Sequence, residues 1–421
     1  MQCSTRDKSS PIHPTNNRAP LVNPSFYFQL SPGPVNIQTS VMPEKSRTYR
    51  IFVSAAEPSA DAHCAALIAT LRKSRYDIEF VGVGGTKMAE AGCRLLENTV
   101  TRASMIYNTF PHIVHFYKLI KRITSFLKND KPDLVIVCDS PAFNFHIAKA
   151  AKKAKLKTLF YVAPQLWAWA GWRISKLRRY CDKLCCILPF EQSWFSERGI
   201  DTVFVGNPLL DEIDLSTNRY KKGYTDFEPK CARFTLMPGS RAAEINSLWP
   251  AMQKIANLLK QKYPNAVFTV AAVDDRAQQA LKSKQLVGFE CEYVIGSVSD
   301  AARNADFAVV ASGSATLQVA AAGCPMVIMY QSSKILWRLF GRWIVKTEYL
   351  SLVNILSGKE LVPEFMPYFS SVEPIAESIE QLLEDRSKLA QISSELIELA
   401  KPLMAGGASE RVSQIVIEML C

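Results

Sequence analysis

Short apolar runs, each closed by a turn rich in Gly, Ser, Asp or Pro and followed by a stretch with helical patterning, recur from Arg50 to Tyr330. That alternation constrains the fold more than any other feature. A strand that re-enters its own sheet in the same direction needs a long crossover, and a helix is the usual one. One whole unit is visible in VVASGSATLQVAAAGCPMVIMY, Val309 to Tyr330. Ala308, Val309 and Val310 end an apolar run, and Ser312-Gly313-Ser314 is a turn. Ala315 to Ala322 has helical composition, Gly323 stops it, and Pro325 opens the next apolar run, Met326 to Tyr330. The connection should be right-handed. The new helix would aim unpaired N–H groups and its positive dipole end over the strand's carboxyl end, a setting that suits phosphate. Every α/β protein needs such turns, so this one points to phosphate only in company with others.

The same reading places strands at Arg50–Ser54, Glu79–Val83, Asp133–Cys138, Leu156–Val162, Leu184–Leu188 and Thr202–Val205. A first helix is expected over Ala62–Lys73, fed by a loop with Pro58 just inside it and Asp61 at a cap position. Gly206-Asn207-Pro208 interrupts the alternation, and Asp214 to Cys231 is polar and irregular. Strands then return at Arg233–Met237, Ala266–Ala272 and Glu292–Ile295, with helices at Ala242–Tyr263 and Arg276–Lys284. Glu373 to Lys401 carries Ile379, Leu382, Leu383, Leu389, Ile392, Leu396 and Leu399 at helical spacing. The expected fold is α/β: two consecutive doubly wound, Rossmann-like domains over 47–207 and 208–372, facing a cleft, with closing helices over 373–421. Residues 1–46, with seven prolines among Ser, Asn and Gln, read as a disordered extension. They hold few acids, so organellar targeting is the other reading.

Composition narrows the partners. The 421 residues carry a formal charge of +11, which favours an anionic partner such as a phosphorylated substrate, a membrane surface or nucleic acid. No nucleic-acid-binding module is recognisable, and that partner is set aside. The eleven cysteines are scattered and odd in number. Cys181, Cys185 and Cys186 cluster without a second Cys/His pair at zinc spacing, so buried reduced thiols are expected rather than a metal site. No apolar run approaches the roughly 18 residues that a membrane span needs.

Two turns share one logic. Leu236-Met237-Pro238-Gly239-Ser240-Arg241 again sets a Gly/Ser turn after a strand and adds a guanidinium, whose planar fork matches phosphate oxygens. A cation at a helix start opposes the helix dipole, which favours a ligand-binding role for Arg241. Two such turns fit a nucleotide diphosphate, through Gly239, Ser240 and Arg241 and through Ser312, Gly313, Ser314 and Thr316. No Walker lysine pattern or Gly-x-Gly-x-x-Gly follows a strand. In the first half, Glu57, Asp61 and Asp139 follow strand ends and are candidate catalytic carboxylates, though acids also cap turns there. No Asp-x-Asp pair is present to hold a metal against a diphosphate, so leaving-group charge falls to Arg241 and helix N-termini.

Two stretches suit an interface. Ile113–Lys128 is amphipathic and basic. In Lys334–Lys346, Lys334, Arg338, Arg342 and Lys346 recur every four residues beside Trp337, Phe340 and Trp343. A basic helix rich in aromatics lies well on an anionic bilayer. Leu166–Trp172 adds three tryptophans, suited to a greasy pocket or to the core.

In order, AEPSAD (56–61), VGVGG (81–85), KPDLVIVCDSPAFNF (131–145), APQLWAW (163–169), LPFEQSWF (188–195), VGNPLLD (205–211), LMPGSRAAEI (236–245), ASGSATLQ (311–318), CPMVIMY (324–330) and VKTEYLSLVNILSGKELVPEF (345–365) resemble the lipid-A-disaccharide synthases. These are inverting glycosyltransferases of the GT-B type, peripheral to the membrane, and the resemblance runs from about residue 50 to 420. It implies transfer of 2,3-diacylglucosamine from its UDP form to 2,3-diacylglucosamine 1-phosphate, giving a β-1,6 disaccharide and UDP, without metal or cofactor. It implies Asp139 as the base, Arg241 as the diphosphate clamp and Asn354 near the donor. Glu57, Ser59 and Asp61 would line the cleft, with Ser59 on the acceptor side. A cytoplasmic site on the inner membrane follows, and a homodimer is compatible with it. The first loop of the family usually reads Gly-Glu-x-Ser-Gly-Asp, where this chain has Ala56 and Ala60, and Gln318 stands where a Glu meets the ribose. Two alternatives stay open: another UDP-sugar enzyme of this fold, such as a UDP-N-acetylglucosamine 2-epimerase, and a non-catalytic nucleotide- or lipid-binding homologue.

Overall fold

Two parallel sheets, each wrapped by helices, make up the protein, as seen in a computed structural model. It describes residues 47–100, 110–211, 224–333, 337, 347–404 and 406–421. The extension 1–46, most of the irregular stretch after Asp214, and Lys334, Arg338, Arg342 and Trp343 lie outside the described residues.

Strands β1 (Tyr49–Ala55), β2 (Ile78–Gly84), β3 (Arg94–Asn98), β4 (Leu134–Cys138), β5 (Lys157–Tyr161), β6 (Lys183–Cys186) and β7 (Thr202–Phe204) form the first sheet, in the order β3-β2-β1-β4-β5-β6-β7. Strands β8 (Arg233–Met237), β9 (Val267–Ala272), β10 (Glu292–Ile295), β11 (Phe307–Ala311), β12 (Met326–Met329) and β13 (Glu364–Phe365) form the second, ordered β10-β9-β8-β11-β12-β13. Covered on both faces, the central strands are apolar throughout: LVIVC in β4 and FAVVA in β11 are wholly buried. Alternate residues serve opposite faces. Phe52, Val135 and Val137 meet Leu119, Ile123, Phe143 and Leu177 from the helices Phe110–Asp130, Pro141–Lys153 and Ile174–Tyr180. Ile51, Val53, Leu134 and Ile136 face Leu67, Ile68 and Leu71 of the helix Pro58–Arg72. The last helix, Ala408–Leu420, adds Val412, Ile415 and Val416 to that same face, so the chain ends against the sheet it began with.

Several expectations need correction. The first helix starts at Pro58, four residues before the expected Ala62, with Glu57 as its N-cap; Asp61 therefore lies inside its first turn. The helical region expected over Glu373–Lys401 is present as two helices, Glu373–Glu384 and Arg386–Ala400. Asp385 separates them and accepts from the Lys388 N–H at 2.9 Å, an N-cap for the second. Strands β3 and β13 had no apolar run to announce them. Among the described residues ten cysteines carry free thiols, and no helix is long and apolar enough to cross a membrane.

Candidate active site between the two sheets

Strand order reverses once in each sheet, between β1 and β4 and between β8 and β11. Crevices beyond the carboxyl ends of strands at such a reversal are where open α/β sheets bind ligands. Glu57 and Asp139 follow β1 and β4, and Ala55 pairs in register with Cys138. The Gly239–Arg241 turn and the Ser312–Ser314 turn follow β8 and β11, where Met237 pairs with Val310. The four candidate segments thus sit at the two switch points.

On the first sheet the backbone bends sharply. Asp139 and Ser140 hold φ of 48° and 43°, and Val162, at the end of the neighbouring β5, holds 62°. A left-handed conformation is uncommon for Asp and costly for a β-branched residue, and such strain clusters at functional sites. Asn144 secures the turn. Wholly buried, it donates from Nδ2 to the carbonyls of Cys138 and Asp139, each at 2.8 Å, and its Oδ1 accepts from Ser54 Oγ at 2.7 Å. Burial and then the charge of Glu57 push the Asp139 carboxyl up to about 6, against the Ser140 N–H and Arg241, which favour its ionised form. A group poised there can take a proton near neutral pH.

Arg241 crosses the cleft. Its Nη1 donates to Glu244 Oε1 at 2.8 Å, and its Nη2 donates to Glu57 Oε2, on the opposite sheet, at 2.9 Å. Glu57 Oε1 accepts from Ser140 Oγ at 3.1 Å, so the guanidinium reaches the neighbourhood of Asp139 through one carboxylate. Burial opposes the charge of Arg241, but the two carboxylates outweigh it and raise its pKa. Glu244 also caps its own helix, Ala242–Lys262: Oε2 accepts from the N–H groups of Ser240 and Arg241 at 3.1 and 3.2 Å. Gly239 is required there. Its φ is +99°, and a Cβ would lie 2.4 Å from Glu244 Oε2. Gly313, by contrast, does not have positive φ, and a Cβ built on it meets nothing within 4 Å, which leaves the space above the β11 turn open.

Ser312 is half-buried, and Gly313 and Ser314 are exposed at the cleft end of β11. Thr316 is buried and donates to the Gly313 carbonyl at 2.7 Å, tying the turn to its helix. Gln318 donates to the Leu209 carbonyl at 3.4 Å, a contact with the segment joining the sheets. Ser59 lies half-buried in the first turn of the helix Pro58–Arg72. Two expected site residues have other partners. The Asp61 carboxylate is buried and accepts from the N–H groups of Gly85, Lys87 and Met88 at 2.7, 3.2 and 3.2 Å, so it caps the neighbouring helix Thr86–Glu90. Asn354 is wholly buried; its amide bonds the carbonyl of Val362, Glu364 Oε2 and the N–H groups of Leu361 and Val362. It shapes the segment before β13. Neither Ala56 nor Ala60 adopts a positive φ, so the alanines meet no backbone penalty.

Two buried polar residues were not singled out from sequence. Asn144 stands between two phenylalanines in the sequence. Glu191 is wholly enclosed, accepting from Trp167 Nε1 at 2.9 Å and the Leu188 N–H at 3.2 Å, and burial pushes its carboxyl up to about 8. Trp167 thus belongs to the core, Trp172 is exposed, and the Trp169 side chain is outside the described residues. Among the described residues no group of three His, Cys, Asp or Glu is placed to hold a metal ion.

Solved structures share this architecture at low identity. The UDP-GlcNAc 2-epimerase from Neisseria meningitidis bound to UDP-GlcNAc matches 88% of this chain and all of its own, with a TM-score of 0.59 and 12% identity. The S. aureus MnaA–UDP co-structure gives a TM-score of 0.57 at 16% identity over 86% of this chain and 94% of its own. The glycotransferase of kitacinnamycin gives 0.56 at 12% identity over 89% and 100%. These likenesses establish a GT-B-type fold. Sequence goes further. The lipid-A-disaccharide synthases of Trichlorobacter lovleyi and Myxococcus xanthus are each 32% identical, covering 89% and 88% of this chain and 98% and 97% of their own. The family described as lipid-A-disaccharide synthetase matches residues 51–418. With nearly the whole folded chain matched, this protein belongs to the lipid-A-disaccharide synthase family of hexosyltransferases.

Proposed function

We propose that the protein transfers 2,3-diacylglucosamine from its UDP form to the 6-hydroxyl of 2,3-diacylglucosamine 1-phosphate, with inversion, releasing UDP. The observation that carries this reading is the convergence of Arg241 on Glu57 at 2.9 Å, which brings the Gly239–Arg241 turn of one sheet against a carboxylate of the other. Asp139 accepts the proton of the acceptor hydroxyl as its oxygen attacks the anomeric carbon. The bond from that carbon to the diphosphate breaks on the opposite side. Arg241, the Gly239–Ser240 backbone and the Ser312–Ser314 turn take up the charge that develops on the leaving group. Thr316 and Gln318 support the nucleotide side, and Ser59 the acceptor side. Asp61 and Asn354, with their polar atoms held by protein partners, act only by fixing the loops around them. The basic, aromatic segment Lys334–Lys346 would bring the cleft to a membrane surface, where acylated substrates reside, placing the protein on the cytoplasmic face of the inner membrane.

The test is incubation with both acylated glucosamines and mass analysis for the disaccharide. Product with wild type, and none with Asp139→Asn although UDP still binds, is the expected result. UDP binding by wild type without any disaccharide would overturn the transferase reading and leave a nucleotide-binding homologue.

A further inference from the structure

Arg241 is held by two carboxylates of different kinds. Glu244 lies on the same helix, is largely buried, and caps the N–H groups of Ser240 and Arg241. Glu57 comes from the opposite sheet, and both members of that pair are open to solvent, with 54% of the Arg241 side chain and 34% of the Glu57 side chain exposed. Of the two contacts, the one to Glu57 gives way more easily: breaking it uncaps no helix, and both groups can be rehydrated in place. The Nη2 edge that it occupies faces the cleft.

We propose that Glu57 is a strap and a positioning residue: it holds Arg241 across the cleft, and the donor's diphosphate must displace it. This rests on the nucleotide-sugar reading above. An incoming diphosphate takes the Nη2 edge, Glu244 keeps Nη1 and so preserves the guanidinium's orientation, and Glu57 swings free while still bonded to Ser140. The exchange ties the two halves of the site together. The diphosphate's negative charge offsets that of Arg241, the cation that opposes protonation of Asp139, so the base strengthens once the donor is seated. The carboxylates also become open to the acceptor at that point, which makes the donor the first substrate to bind.

Calorimetric titration of UDP into the full-length protein, Glu57→Gln and Glu57→Asp tests the strap. Glutamine removes the charge. Aspartate keeps it but is one methylene shorter, so it cannot span the cleft to Arg241 from the same backbone position. Both variants should bind UDP more tightly, by about two- to fivefold, the equilibrium weight of a half-exposed ion pair. Tightening in Glu57→Gln alone would mean simple charge repulsion and overturn the strap, as would unchanged or weaker binding in both. Those outcomes leave the nucleotide-sugar reading intact. Failure of UDP to bind the wild type would overturn that reading and the strap together.

Discussion

Asp139 combines a left-handed backbone with a carboxyl held near 6, and both properties are open to measurement. Asn is among the few residues that tolerate positive φ, so Asp139→Asn should keep the turn and remove only the titrating group. Turnover should fall by about 10²- to 10⁴-fold, the usual weight of a positioned base, with UDP affinity retained; loss of both together would indicate a folding role. In the wild type kcat/KM should decline below pH about 6, as the base becomes protonated. Stability carries the opposite sign. Because the folded carboxyl titrates above the usual range, its contribution is full at low pH and is lost as pH rises through about 6. The asparagine variant cannot ionise, so above that pH its melting temperature should exceed that of wild type. Equal melting curves at pH 5 and pH 8 would show that Asp139 feels no burial. Of these properties only the acid after a strand was visible in the sequence. Asp61 also follows a strand, but its N–H partners were hidden in the sequence because the helix it caps begins 25 residues later, at Thr86.

The element that holds the site is the β4–helix junction, where Asn144 joins β1, through Ser54, to the carbonyls of Cys138 and Asp139. Asn144→Leu fills a similar volume but leaves those groups unpaired, at about 1–3 kcal/mol for each buried group without a partner. Its effect should appear in kcat more than in the KM for donor, since the phosphate turns lie on the other sheet. A variant with normal kcat would show that the turn stands without its support. The junction was half legible. DLVIVC announced a buried strand, and Pro141 a helix start. Nothing local marked Asn144 as more than a polar residue among aromatics, because Ser54, the partner that ties it to β1, lies 90 residues earlier. The same limit hid the Arg241–Glu57 contact, which spans 184 residues.

Taken whole, the molecule is two sheets joined by two passages of chain that run side by side. Asn207 N–H donates to the Leu403 carbonyl at 3.2 Å, Arg411 Nε to the Val205 carbonyl at 2.9 Å, and Ala408 N–H to Asp211 Oδ2 at 3.0 Å. The doubly wound architecture was readable, since strand–turn–helix alternation leaves few other solutions. The return of the last helix to the first sheet was not, because an apolar helix face does not say which surface it covers. Removing residues 405–421 should uncover β5 and the helix Pro58–Arg72, losing the burial of Val412, Ile415 and Val416 at about 1.5–3 kcal/mol each. Against a typical 5–15 kcal/mol for a native fold, the truncated protein should aggregate or yield to protease. A truncated form as protease-resistant as full-length protein would mean the helix is an accessory. If it is not, the first half of the polypeptide leaves the ribosome with one flank bare and stays so until residues 408–420 have been made. Chaperones rather than early folding must guard that flank in the meantime.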